Sequence, residues 1–174
     1  MGQGMSDARS GARERQGDMT GIREVLSVTS PATIRDTRCI LSRIMEGLSA
    51  LLPAERAGVI EIALAEIINN IVEHAYDGRA DGQIRLTASL AEEDQGPVLQ
   101  FDIQDDGTAL PGGMLPPGLP PDLSVPREAL PEGGFGWLLI RTLARDLEYS
   151  RQDGVNRLTA IFDLAASDGP PPSH

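Results

Sequence analysis

The sequence predicts a two-layer α/β (α+β) sandwich, a domain in which helices pack on one face of a mixed or antiparallel sheet. Three observations carry this. Apolar residues recur at helical spacing between Ile34 and Ala75 but alternate strictly from Ile84 to Leu90 and from Leu99 to Asp105. The elements read in the order β, α, α, β, β, long loop, α, β, β. At 174 residues the chain is long enough for one domain with a sizeable core, and its length does not favour two.

Residues 1–22 are polar, contain several glycines and show no periodicity, so they are expected to be a disordered segment. Val25, Leu26 and Val28 mark a short strand over 23–29, after which Ser30 and Pro31 read as an N-cap and first helical position. The helix that follows, to about Leu52, carries Ile34, Cys39, Ile40, Ile44, Met45 and Leu48 on its apolar side. Pro53 separates it from a second helix that starts near Ala54 and stops at the turn residues Asp77 and Gly78.

Two alternating strands follow, 82–90 and 97–105, joined by a hairpin connection over 92–96. Leu99, Phe101, Ile103 and Asp105 share one face, so a core-facing strand brings the Asp105 carboxylate to the buried side, which is costly without a donor. Seven prolines between Pro111 and Pro131 exclude a helix or central strand there. A loop of that length in a compact domain is either a functional lid or an insert. It ends in Gly133, Gly134, Phe135 and Gly136, directly before the apolar helical run Trp137 to Leu147. Amides at a helix N-terminus form a phosphate site without lysine, although a plain hinge would also explain the glycines. Residues 147–152, the turn at Asp153 and Gly154, and residues 155–164 read as a closing hairpin, with a disordered tail over 166–174.

The most informative stretch is Glu61 to Tyr76, strongly apolar yet interrupted by Glu66, Asn70 and His74 at i, i+4 and i+8. A solvated face of an amphipathic helix would explain that pattern as well. However, no lysine or arginine lies between Arg56 and Arg79, whereas an exposed face normally mixes signs. A carboxylate and an amide one turn apart suit a hard metal ion and a proton-accepting role.

Composition narrows the function classes. The net charge of −11 argues against a nucleic-acid or anionic-membrane partner. Cys39 alone cannot form an internal disulfide or a multi-cysteine zinc site, which points to a reducing, cytoplasmic setting. No apolar run approaches the length of a membrane span, and the N-terminus lacks a signal-peptide core. All 15 basic residues are arginine, so mechanisms built on a P-loop lysine, a kinase strand lysine or a Schiff-base lysine are excluded.

Taken together and in order, three stretches resemble the GHKL ATP-binding family, which includes histidine-kinase ATPase domains. Glu66-Ile-Ile-Asn-Asn70-Ile-Val-Glu-His74-Ala-Tyr76 is similar to that family's N-box, Asp105-Asp-Gly107 to its adenine turn, and Gly133-Gly-Phe-Gly136 to its phosphate-side glycine box. The small size and the wording EHAY are most similar to bacterial anti-sigma serine-protein kinases of the RsbW and SpoIIAB type, over roughly Val25 to Leu164.

This resemblance implies a GHKL (histidine-kinase-like) ATPase fold over 23–165, with an ATP lid at about 111–132. It implies ATP and Mg²⁺ as cofactors, Glu66 as general base and Asn70 as metal holder. Asp105 would receive the adenine amino group, with His74, Gly107 and Thr159 also at the nucleotide, and Gly133, Gly134 and Gly136 on phosphate. The implied partners are a sigma factor and an anti-anti-sigma protein of the STAS type, and a homodimer is compatible with it. Two departures stand out. Thr108 to Pro111 replaces a second glycine after the adenine turn, and no arginine precedes Gly133, leaving transition-state charge to Mg²⁺, helix amides and Arg127. Two readings follow: a protein kinase that phosphorylates its partner's serine, or a catalytically weak nucleotide-binding module that sequesters a sigma factor.

Overall fold

The computed structural model describes residues 21–77, 79, 81–118 and 135–165. The N-terminal segment to residue 20, Gly78, most of the proline-rich loop with Arg127, Gly133 and Gly134, and the tail from residue 166 lie outside the described residues. Five strands form one sheet in the order β1-β2-β3-β5-β4: β1 (Arg23–Pro31), β2 (Gln83–Glu93), β3 (Gly96–Asp105), β4 (Asp146–Gln152) and β5 (Val155–Asp163). Every pairing is antiparallel, which settles the sheet type that the sequence left open between mixed and antiparallel. Tight hairpins join β2 to β3 and β4 to β5, whereas β1 reaches β2 through α1 and α2, and β3 pairs with β5 across the later part of the chain. Asp153 and Gly154 at the β4–β5 turn both have positive φ (52° and 84°), the twist that closes a two-residue hairpin.

Three helices cover one face: α1 (Ile34–Leu48), α2 (Ala54–Asn70) and α3 (Phe135–Leu143). The inward residues Ile84, Leu86 and Ala88 of β2, Leu99, Phe101 and Ile103 of β3, and Leu158, Ala160 and Phe162 of β5 meet Ile40, Ile44, Leu48, Ile60, Leu64 and Ile67 in one core. Phe101 and Phe162 pack edge to face with centroids 5.8 Å apart.

The first helix departs from expectation. Pro31 ends β1, with Ser30 paired to Ile84, and the N-cap is Thr33, whose hydroxyl oxygen accepts the Asp36 amide at 3.2 Å and donates to Asp36 Oδ2 at 2.6 Å. Thr33 has an extended backbone (φ −125°, ψ 150°) and a side chain that reaches the first turn. Ile34 and Cys39 are exposed, because starting the helix at Ile34 sets its buried stripe on Thr37, Ile40, Ile44 and Leu48.

The second helix changes pitch rather than running evenly to Tyr76. After Asn70 the chain makes a π-helical turn, Ile71–Ala75. Such a wide turn inserts backbone into the helix and rotates everything beyond it. Tyr76 then anchors the end: the residue is 1% exposed, its hydroxyl donates to Asp106 Oδ1 and lies 2.9 Å from the Gln83 carbonyl oxygen, and its oxygen accepts the Asp106 amide at 3.1 Å.

Candidate functional site

Where α2, its π-helical turn, the end of β3, the start of β5 and α3 converge, the structure encloses a cavity of about 400 Å³. That is the size of a small-ligand site. Ile67, Ile71, Ala75, Trp137 and Leu158 give it apolar walls, and Asn70, His74, Asp105, Tyr149 and Asn156 supply the polar groups.

Asp105 is 7% exposed, at the inner end of β3 where the alternation placed it. Its Oδ1 accepts two hydrogen bonds, from Asn156 Nδ2 at 2.7 Å and from the Gly107 amide at 2.9 Å. Among the described residues no protein donor reaches Oδ2, so that oxygen is left as an acceptor at the cavity Asp105 lines. Burial raises the Asp105 carboxyl above its ordinary range, while the bonds from Asn156 and Gly107 and the Arg151 charge pull the other way.

Gly107 is required by a close approach. A Cβ there would lie 2.6 Å from the Ala75 carbonyl oxygen and 2.7 Å from Ala75 Cβ. With only hydrogen at that place, the Asp-Asp-Gly turn seats on the π-helical turn, and the Thr108 amide donates to the Ala75 oxygen at 2.8 Å. The Tyr76 phenol adds a second tie to Asp106; burial and the Asp106 carboxylate push the phenol well above its usual range, and the same bond holds Asp106 low.

Asn70 and the exposed His74 line the Asp105 cavity, whereas Glu66 borders a second cavity of about 420 Å³ with Phe135, Gly136, Leu138, Leu139 and Thr142. Asn70 Nδ2 donates to the Glu66 carbonyl oxygen at 2.7 Å, which leaves Asn70 Oδ1 as a hard oxygen donor. Gly136 sits at the junction: a Cβ there would be 2.8 Å from Glu66 Oε2 and 3.5 Å from Asn70 Nδ2. The first described turn of α3 thus abuts Glu66 and Asn70. Among the described residues no group of three or more His, Cys, Asp or Glu side chains could hold a metal alone.

Thr159 is a correction. On β5 it pairs with Asp102 and Glu148, on the sheet face opposite Asp105, because neighbouring residues of a strand alternate faces. Its place at the cavity belongs to Asn156 and Leu158, and Asn156 pairs directly with Asp105. Sequence reasoning missed Asn156, Tyr149 and Arg151. The signal was available: Asn156, Leu158, Ala160 and Phe162 form the inward set of the last strand, so Asn156 is its one polar inward member.

A sheet covered on one face, a cavity between it and a helix that carries an acid and an amide, and a buried acceptor at its floor define a nucleotide-binding ATPase domain. The family model for the histidine kinase-like ATPase domain matches residues 28–162. Serine-protein kinase RsbW of Bacillus cereus (strain AH187) is 32% identical over 116 residues, covering 64% of this chain and 69% of the relative, and the RsbW kinase of Bacillus mycoides (strain KBAB4) is 31% identical over the same span. The chain belongs to this histidine kinase-like ATPase family, in its RsbW-like group. The crystal structure of the RsbU and RsbW domains of a Mycobacterium tuberculosis protein superposes with TM-score 0.56 at 20% identity, over 85% of this chain. This chain spans 34% of that longer protein, and the likeness bears on the fold.

Proposed function

We propose that this protein is an ATP-dependent serine-protein kinase and anti-sigma factor of the cytoplasm. In this reading it sequesters a sigma factor and phosphorylates a serine of a STAS-type anti-anti-sigma partner. The observation that carries it is the junction at Gly136, where the Glu66 carboxylate and the Asn70 amide meet the start of α3 one step from the Asp105 cavity. A nucleotide holder needs Asp105 and the cavity; it has no use for a carboxylate at the phosphate end.

The residues fit the nucleotide and its metal. The Asp105 Oδ2 left without a protein donor suits an exocyclic amino group, and the apolar walls suit a purine ring. ATP supplies the γ-phosphoryl group. Asn70 Oδ1 would hold Mg²⁺ together with the nucleotide's own phosphates, in keeping with the reluctance of that ion to enter an all-protein cage. Gly136, and by resemblance Gly133 and Gly134, let backbone approach phosphate. Glu66 accepts the proton of the incoming serine hydroxyl as its oxygen bonds to phosphorus and the bond to the leaving ADP oxygen breaks.

The test mixes the full chain, radiolabelled ATP, Mg²⁺ and the cognate STAS partner, and locates the label. Phosphoserine on the partner, with sigma-factor capture restored afterwards, is the expected result. Sigma capture that needs nucleotide but is accompanied by no transfer would reduce the protein to a binding module.

A further inference from the structure

Asn156 is 4% exposed and lies directly across the β3–β5 ladder from Asp105. Its amide has one workable orientation. Oδ1 accepts from the Tyr149 hydroxyl at 2.7 Å and from Arg151 Nη1, while Nδ2 donates to Asp105 Oδ1 at 2.7 Å and to the Thr108 carbonyl at 3.1 Å. Turned over, the amide would set its NH₂ against the Arg151 guanidinium, which can only donate, and its oxygen against a carboxylate and a carbonyl. The same three side chains pin the loop after the adenine turn. Arg151 Nη1 donates to the Gly107 carbonyl at 2.8 Å, and the Leu110 amide donates to the Tyr149 oxygen at 3.1 Å.

We propose that Asn156, held by Tyr149 and Arg151, is a specificity-determining positioning residue that selects a 6-amino over a 6-oxo purine. By occupying Asp105 Oδ1 with a donor of fixed direction, it holds the carboxylate plane so that Oδ2 meets the purine C6 position. A 6-amino group donates to that oxygen. A 6-oxo group presents lone pairs to it and is repelled, so a carboxylate held in place discriminates while a free one turns away. Because the network also carries residues 107–110, the floor of the base pocket and the root of the proline-rich loop move as one piece. The inference rests on the ATP reading of the cavity.

The experiment displaces a fluorescent ATP analogue from the full chain with ATP and with ITP, in the presence of Mg²⁺, for wild type, Asn156→Leu and Tyr149→Phe. Wild type should prefer ATP by at least about tenfold. Asn156→Leu should cut that preference by about tenfold, and Tyr149→Phe, which removes one donor to the amide and keeps the ring, by about threefold. A strut with no part in base selection would lower both affinities in equal proportion; an unchanged ATP-to-ITP ratio in the variants therefore overturns the proposal. Should Asn156→Leu fail to fold, Tyr149→Phe decides alone. Wild type that binds neither nucleotide overturns the ATP reading itself, a result distinct from a wild type that binds ATP and variants that keep its selectivity.

Discussion

Replacing Gly136 by alanine tests the junction between base and phosphate site without touching either side chain. The added methyl would stand 2.8 Å from Glu66 Oε2 and 3.5 Å from Asn70 Nδ2. The second distance is ordinary contact. The first is too close by roughly half an ångström against normal carbon–oxygen packing. The atom that must yield is the end of a side chain with three torsions, so the fold should survive at a cost of about 1 kcal/mol, that of an off-rotamer adjustment. The carboxylate, however, is displaced in the direction that matters. A misplacement approaching 1 Å costs up to about 10²-fold, so phosphotransfer should slow by about 10- to 100-fold. ATP affinity should fall by a smaller factor than transfer, because Gly136 borders the Glu66 cavity and is absent from the lining of the Asp105 cavity, so the methyl meets the proposed phosphate end and leaves the base pocket as it is. Single-turnover transfer to the partner, with ATP affinity from calorimetry, separates the two. Wild-type transfer by Gly136→Ala would show that the placement of Glu66 against α3 has no part in the reaction.

Glu66→Gln should keep nucleotide affinity within a fewfold and slow transfer by about 10²–10⁴-fold; equal rates in the same assay would remove Glu66 as the base. Asp105→Asn keeps the Oδ1 acceptor for Asn156 and Gly107 but turns an NH₂ toward the base, so ATP affinity should fall about ten- to a hundredfold by calorimetry. The same variant should melt higher at neutral pH, by about 2–4 °C for each kcal/mol of charge burial relieved. The sign follows from the raised Asp105 carboxyl: the folded state holds its proton more tightly, so wild type loses stability relative to Asp105→Asn as pH rises from the ordinary value of 3.8 through the folded value. Melts of both proteins between pH 4 and about 8 that run parallel would refute it. Gly107→Ala drives a methyl to 2.6 Å from a backbone oxygen that cannot withdraw, and endangers the Thr108–Ala75 hydrogen bond. Overpacking of about 1–3 kcal/mol plus a bond of about 1 kcal/mol predicts a melting point lower by roughly 5–15 °C; a drop under about 2 °C would show that the turn shifts freely.

The sequence by itself determined what is local and periodic. Alternation placed Leu99, Phe101, Ile103 and Asp105 on one face, and the paired residues confirm that face, because a strand has a period of two and a buried run leaves one register. Helical spacing located α2 and the Glu66–Asn70 pair, and the absence of lysine removed whole classes of phosphate chemistry. Tertiary structure decided the rest. A helical wheel assumes even pitch, so nothing in it foretold the π-helical turn Ile71–Ala75 that carries His74. The N-cap moved from Ser30 to Thr33 because pairing with Ile84 kept Ser30 in β1, a long-range bond that local propensity does not see. Thr159 had the right chemistry on the wrong face, and Asn156 the right face without a motif. Its role depends on Asp105, Tyr149 and Arg151, which come from β3 and β4, and only closure of the sheet brings them within hydrogen-bond distance of one amide.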